Sequence, residues 1–253
     1  MNFEAKQVSA PDTLSFRTRQ REELNGQIVH DSIHRRPGWT VSYILEADSQ
    51  PVGFGSVAIG GPWKDKPTLF EFYVLPHFRN RSFDLFEALL ATGKPQYFEA
   101  QTNDALIAVM VHTYGSETKS EKIVFRDGLI TDHALPGTVL RLTTAGDELR
   151  SCIEQRQGGG EWLLQLDGRE VGKGGILFHY NRPYGDIYME VQEGSRRCGL
   201  GSFLVQELKR ECYVLGAVPA ARCSPDNIAS RRTLVRAGFV PCAHILQGRF
   251  PAA

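Results

Sequence analysis

Arg196-Arg197-Cys198-Gly199-Leu200-Gly201-Ser202 stands between a strand pattern ending at Val191 and an amphipathic helix with apolar positions at Leu200, Phe203, Leu204 and Leu208. The first N–H groups of a helix have no partner inside it, and the helix dipole makes that end positive, so anions bind there. Gly199 and Gly201 let a phosphate approach the backbone, and Arg196 and Arg197 add charge. The same four residues also suit an ordinary solvated turn, so the surroundings must decide. A dinucleotide-binding loop places its first glycine directly after the strand and needs an acid about 20 residues on. Here residues 192–198 intervene, and the next strand ends in Arg222-Cys223. A Walker loop is excluded because no Gly-Lys-Ser or Gly-Lys-Thr follows the glycines.

Outward from this stretch, one pattern is written twice. Leu166-Asp167-Gly168-Arg169-Glu170-Val171-Gly172 reads as a strand end, a tight turn and a new strand, with Asp-Gly favouring positive φ. Glu46-Ala47-Asp48-Ser49-Gln50-Pro51-Val52-Gly53 does the same, Gly53 lying 119 residues before Gly172. These turns join expected strands 40–45 to 52–59 and 161–166 to 171–178. Strands at 68–74 and 186–191 follow, each leading through an arginine-bearing loop to an amphipathic helix. A short strand, 96–100 or 217–223, and a second helix opened by Asn103-Asp104 or Asp226-Asn227 close each copy at Gly115 or Gly238. Each copy opens with a strand and a polar helix, 3–8 then 12–35, and 138–142 then 144–156, the latter with Thr143 or Thr144 as N-cap.

The order β, α, β, β, β, α, β, α, β therefore occurs twice, joined at Leu135-Pro136-Gly137. It predicts two tandem α/β domains, 1–136 and 137–253, each a mixed sheet with helices on both faces. The second copy ends soon after one strand, 241–247, so its sheet needs a strand from the first copy or the linker to be complete.

The 253 residues carry 29 Lys and Arg against 29 Asp and Glu, which removes the bulk basic signature of a nucleic-acid-binding protein. With 42% hydrophobic and 10% aromatic residues, the chain reads as globular rather than disordered. The longest apolar run, 105–111, is far short of a membrane span, and residues 1–6 do not open a secretory signal. Five cysteines without a CxxC pair argue against a disulfide framework or a zinc site. The expectation is a soluble cytoplasmic protein without bound metal.

Arg196, Gly199 and Gly201 fit motif A of the GNAT superfamily, the acetyl-CoA-dependent N-acetyltransferases: arginine or glutamine, two residues, glycine, one residue, glycine or alanine. Asn227-Ile228-Ala229-Ser230 with Ala237-Gly238-Phe239 resembles motif B, and together the two cover roughly 138–250 in the family's order of strands and helices. The resemblance implies that the amides of Gly199, Leu200, Gly201 and Ser202 hold the CoA pyrophosphate, aided by Arg196 and Arg197. It further implies that the strand edge at Met189 and Val191 pairs with the pantetheine arm, and that Asn227 and Ser230 line its other side. A plain helix cap would suit Asn227 equally, and a solvent-facing position would suit Ser230.

In the first copy Ser82 and Asp84 replace Gly199 and Gly201, placing a side chain and a negative charge where the pyrophosphate would lie. That copy reads as a degenerate GNAT-like domain without a CoA site. Amine attack on a thioester needs a neutral nucleophile, whereas an alkylamine is mostly protonated at neutral pH, so a general base is useful. Strand alternation puts Asp186, Tyr188 and Glu190 on one face, opposite Ile187, Met189 and Val191. Glu190 is the first base candidate and Asp186 the second; a partly exposed strand face explains the same pattern. The family's acid tyrosine, seven positions after the motif B asparagine, is Leu234 here, and Tyr188 is its candidate substitute. His179 and His244 read as structural.

The expectation is thus an N-acetyltransferase acting by direct attack in a ternary complex on a small-molecule or peptide amine, as monomer or homodimer, with no nucleic-acid or membrane partner. A non-catalytic acyl-CoA-binding or sensing module is the alternative.

Overall fold

The computed structural model describes residues 1–251. By spatial contacts the described residues form two compact units, 1–26, 33–121 and 244–251 in the first, 27–32 and 122–243 in the second. The sequence repeat turns over at Leu135-Pro136-Gly137, whereas contacts divide at 121/122 and again at 243/244, inside the long strands β6 (Ser116–Asp127) and β12 (Phe239–Arg249).

The first unit holds β1 (Phe3–Val8), α1 (Leu14–Leu24), β2 (Thr40–Ala47), β3 (Gln50–Ala58), β4 (Thr68–Val74), α2 (Ser82–Gly93), β5 (Tyr97–Gln101) and α3 (Ala105–Tyr114). Its strand order is β1-β2-β3-β4-β5, followed by the end of β12, whose Ile245 to Arg249 pair antiparallel with β5. Among β1 to β5 only β4 and β5 run parallel. Alternation along β4 sets the layers: Phe72 meets Phe86 of α2 with ring centroids 4.9 Å apart, while Glu71, on the other face, receives Arg21 of α1 at 3.2 Å. Phe72, Phe86, Leu85, Leu89 and Phe98 are fully buried, each stabilising the unit by about 1.5–3 kcal/mol.

The helix expected over 12–35 is divided. A 3-10 turn precedes α1, and Asn25, left-handed at φ 43°, ends it by donating its N–H to the Arg21 carbonyl. Asn tolerates that conformation better than most residues, and Gly26 follows, so the chain leaves the helix there and residues 27–32 join the second unit.

The second unit holds β7 (Thr138–Leu142), α4 (Gly146–Gln155), β8 (Gly159–Leu166), β9 (Arg169–Leu177), β10 (Tyr184–Val191), α5 (Leu200–Val214), β11 (Val218–Cys223) and α6 (Ile228–Arg236). Its order is β7-β8-β9-β10-β11, and Ile123 to Arg126 of β6 pair antiparallel with β11, supplying the strand the repeat lacked. Only β10 and β11 run parallel in this group. Leu200, Leu204 and Leu208 of α5 enter one core with Ile176, Ile187, Val191 and Trp162. The β8–β9 turn carries φ 49° at Asp167 and 77° at Gly168, the two positive angles that a two-residue hairpin favours. Neither threonine caps α4, whose N-cap is Ala145. Thr144 Oγ1 instead accepts the Glu161 N–H at 2.8 Å and Thr143 Oγ1 donates to the Glu161 carbonyl at 2.9 Å, so β8 takes both hydroxyls.

Candidate active site

The site begins where a strand pair stops. Parallel pairing of β10 with β11 covers Tyr184, Gly185 and Asp186, whereas antiparallel pairing with β9 continues to Val191. One edge of β10 is therefore unpaired from Ile187 onward. Gln192 donates its N–H to the Val171 carbonyl at 2.9 Å, so by antiparallel alternation the amides of Met189 and Val191 face the opening. Arg196 Nε reports the same polarity by donating to the Val191 carbonyl at 3.1 Å.

At the mouth of that opening the chain makes a short 3-10 turn at Glu193–Ser195, then positive φ at Arg197 (66°) and Gly199 (80°), before α5 starts. The first helical bond runs from the Phe203 N–H to the Gly199 carbonyl, which leaves the amides of Gly199, Leu200, Gly201 and Ser202 leading the helix. The two glycines serve different ends. A Cβ on Gly199 would meet nothing within 4 Å, so its demand is conformational. A Cβ on Gly201 would lie 3.3 Å from Thr233 of α6 and 3.6 Å from Met189, so its demand is steric. Leu200 and Ser202 are buried, so they offer the site their N–H groups; Arg196 and Arg197 are exposed. Asn227 caps α6 through its Oδ1, which accepts the Ser230 N–H at 2.9 Å.

Residues 129–239 match the sequence model of the acetyltransferase (GNAT) family. Solved structures with the same architecture include a GNAT-family acetyltransferase from Colwellia psychrerythraea (TM-score 0.72, 15% identity, 98% of this chain and 100% of that one). A tandem GNAT protein from the clavulanic acid biosynthesis pathway is similar over 100% of both chains (TM-score 0.64, 15% identity). A GCN5-related N-acetyltransferase from Sphaerobacter thermophilus is similar over 99% of this chain and 97% of that one (TM-score 0.62, 14% identity). Residues 129–239 thus form a GNAT-family domain, and the chain as a whole shares the fold of these structures. No curated protein matches it by sequence.

In this GNAT-family domain the three proton-transfer candidates have unlike surroundings. Glu190 is exposed and adjoins Val191, at the same end of the opening as Arg196. The Tyr188 hydroxyl lies 3.4 Å from Glu161 Oε2, and burial, followed by that carboxylate's charge, pushes its pKa up. Asp186 is 5% exposed and sits where strand pairing ends. Its Oδ2 is 3.2 Å from His179 Nε2 and 3.4 Å from Arg222 Nε, and the Arg222 guanidinium lies 5.8 Å from the Tyr180 ring. Burial, then the Asp186 charge, pushes the Tyr180 hydroxyl well above its ordinary range. Sequence reading did not select His179, Tyr180 or Arg222. Leu177 pairs with Asp186 and puts His179 just beyond the β9 end, a register that no local motif encodes. Leu234, at the family's tyrosine position, is buried in the apolar core.

The first copy repeats the frame with other contents. Pairing of β4 with β5 covers only Thr68 and Leu69, while β4 stays paired with β3 to Val74. Arg79 Nε donates to the Val74 carbonyl at 3.1 Å, as Arg196 does to Val191, but Glu23 takes up the Arg79 guanidinium and also accepts the Tyr73 hydroxyl proton at 2.5 Å. Ser82 is buried, Asp84 lies in the first turn of α2, and the Gln20 side chain of α1 donates to Asp104 at 2.8 Å. Glu71 is buried between His34 (2.6 Å) and Arg21 (3.2 Å); burial alone would raise its pKa, but those two partners outweigh it and hold it at about 2.

Among the described residues no group of three or more His, Cys, Asp and Glu could hold a metal ion, and no helix is long and apolar enough to cross a membrane. The five cysteines are free thiols.

Proposed function

We propose that the second copy binds acetyl-CoA and transfers its acetyl group to an amine of a small molecule or peptide, by direct attack within a ternary complex. The carrying observation is the junction of an unpaired strand edge with a helix start, where four leading amides stand beside Arg196, whose Nε is fixed to the Val191 carbonyl. The open space at Gly199 suits a diphosphate against the backbone, and Met189 and Val191 offer amides along the edge. Arg197 adds charge, and we assign Asn227 and Ser230 to the other side of the arm, at the start of the helix whose Thr233 would lie 3.3 Å from a Cβ on Gly201. When bound, acetyl-CoA supplies an activated thioester; the chain orients it and manages the amine proton.

Asp186, at the paired end of the opening, is favoured over Glu190 as the group that governs proton removal, with Tyr188 exposed between them. We assign the first copy, 1–136 by the sequence repeat, to completing the fold, and the second, 137–253, to acetyl-CoA; a monomer or homodimer in the cytoplasm accords with this reading. The buried Leu234 favours a second reading, a non-catalytic acyl-CoA-binding module. Thiol release from acetyl-CoA across a panel of polyamines, aminoglycosides and lysine peptides separates them. Turnover supports the transferase, tight binding without turnover supports the module, and absence of binding contradicts both.

A further inference from the structure

We infer that His179, oriented by Asp186 and Arg222, carries the acceptor's proton in the second copy and replaces the acid that Leu234 cannot supply. The inference rests on the acetyl-CoA reading above and adds to it a residue with a defined task. Phosphates at Gly199 and an acyl arm along the β10 edge bring the thioester toward the far end of the opening. From Val191 to Asp186 is five residues of extended strand, about 17 Å. At that end the side chains of Asp186, His179, Arg222 and Tyr180 converge on the face of β10 that carries Tyr188 and Glu190.

The arrangement is that of a carboxylate-oriented imidazole. Asp186 Oδ2 lies 3.2 Å from Nε2, and we assign the N–H to Nε2, donating to that carboxylate, so that Nδ1 keeps its lone pair. Nδ1 makes no hydrogen bond among the described residues, and the side chain remains 16% exposed. The Ser32 N–H holds the His179 backbone carbonyl at 3.2 Å, and the Tyr180 ring stands edge-on to the imidazole at 4.6 Å. The Arg222 guanidinium closes the cluster, 3.5 Å from Nε2 and 3.4 Å from Asp186 Oδ2.

In the step this serves, the amine nitrogen forms a bond to the thioester carbonyl carbon and the C–S bond breaks, sulfur leaving with the electron pair. The nitrogen's proton goes to His179 Nδ1 and from there to the departing thiolate. The products are the amide and CoA thiol, with the imidazole restored.

The test uses the full chain with ¹⁵N-labelled histidine. Addition of 3′,5′-ADP, which fills only the phosphate end, should leave the His179 ring signals in place, whereas CoA should move them. His179→Gln and His179→Ala should keep acetyl-CoA affinity within about threefold and lower turnover by about 10²–10⁴-fold, the usual range for proton-transfer groups. Added imidazole should restore His179→Ala in part. CoA binding without a change at His179, or His179→Gln with wild-type turnover, would overturn the inference and leave the acetyl-CoA reading intact. Failure of the wild-type chain to bind CoA would overturn both.

Discussion

Gly199 and Gly201 look interchangeable in a motif, yet they answer to different forces. Gly199 sits at φ 80° in open space, so Gly199→Ala adds the left-handed penalty of about 1–2 kcal/mol. Gly201 has ordinary backbone but faces Thr233 at 3.3 Å, so Gly201→Ala pushes α6 outward by a few tenths of an ångström. Thermal unfolding should therefore show a larger loss for Gly199→Ala, and Thr233→Ala should relieve Gly201→Ala but not Gly199→Ala. A further residue-scale prediction concerns the two carboxylates on β10. Asp186→Asn should lower kcat by about 10²–10⁴-fold with acetyl-CoA affinity nearly unchanged, and Glu190→Gln should cost much less. The reverse order in steady-state kinetics would return the base to Glu190.

At the scale of elements, the buried Glu71 ties β4 to α1 and to the segment that carries His34. Its folded pKa of about 2 lies below the ordinary 4.5, so its contribution is complete above about pH 4.5 and is lost as pH falls toward 2. That difference is worth about 3 kcal/mol. Denaturant titrations should show Glu71→Gln less stable than wild type at pH 7, with the gap closing between pH 4.5 and 2; a gap independent of pH would remove the carboxylate from the account. What sequence reveals at this scale follows from where the information lies. The hairpin at Asp167 and Gly168 and the core face of α5 are local patterns and are legible. The end of α1 at Asn25 was missed because its polar residues run on past the break. The partnership of β5 with Ile245 to Arg249, and the meeting of His179 with Asp186 and Arg222, depend on register between distant segments. The loop from Arg196 to Ser202 was legible as a unit because all its parts are contiguous; of the cluster of Asp186, His179 and Arg222, only Asp186 was singled out.

The whole molecule is written as two repeats but assembled with different boundaries. A fragment cut at 137 loses Ile123 to Arg126 and leaves one edge of β11 unpaired, whereas a fragment of 122–243 keeps that strand. The second fragment should give the sharper thermal transition and bind acetyl-CoA more tightly; equal behaviour would mean that β6 contributes little to the unit. Only one of the two frames is expected to serve acetyl-CoA. In the first, Glu23 occupies Arg79, Ser82 stands in place of Gly199 and Asp84 in place of Gly201. In the second, Arg196 meets no carboxylate among the described residues. Titration calorimetry of the full chain with acetyl-CoA tests this most directly. One site per chain is expected, weakened about tenfold or more by Arg196→Gln, the loss typical of a hydrogen bond to a charged group, and untouched by Arg79→Gln. Two sites per chain, or a single site lost with Arg79 and kept without Arg196, would contradict it.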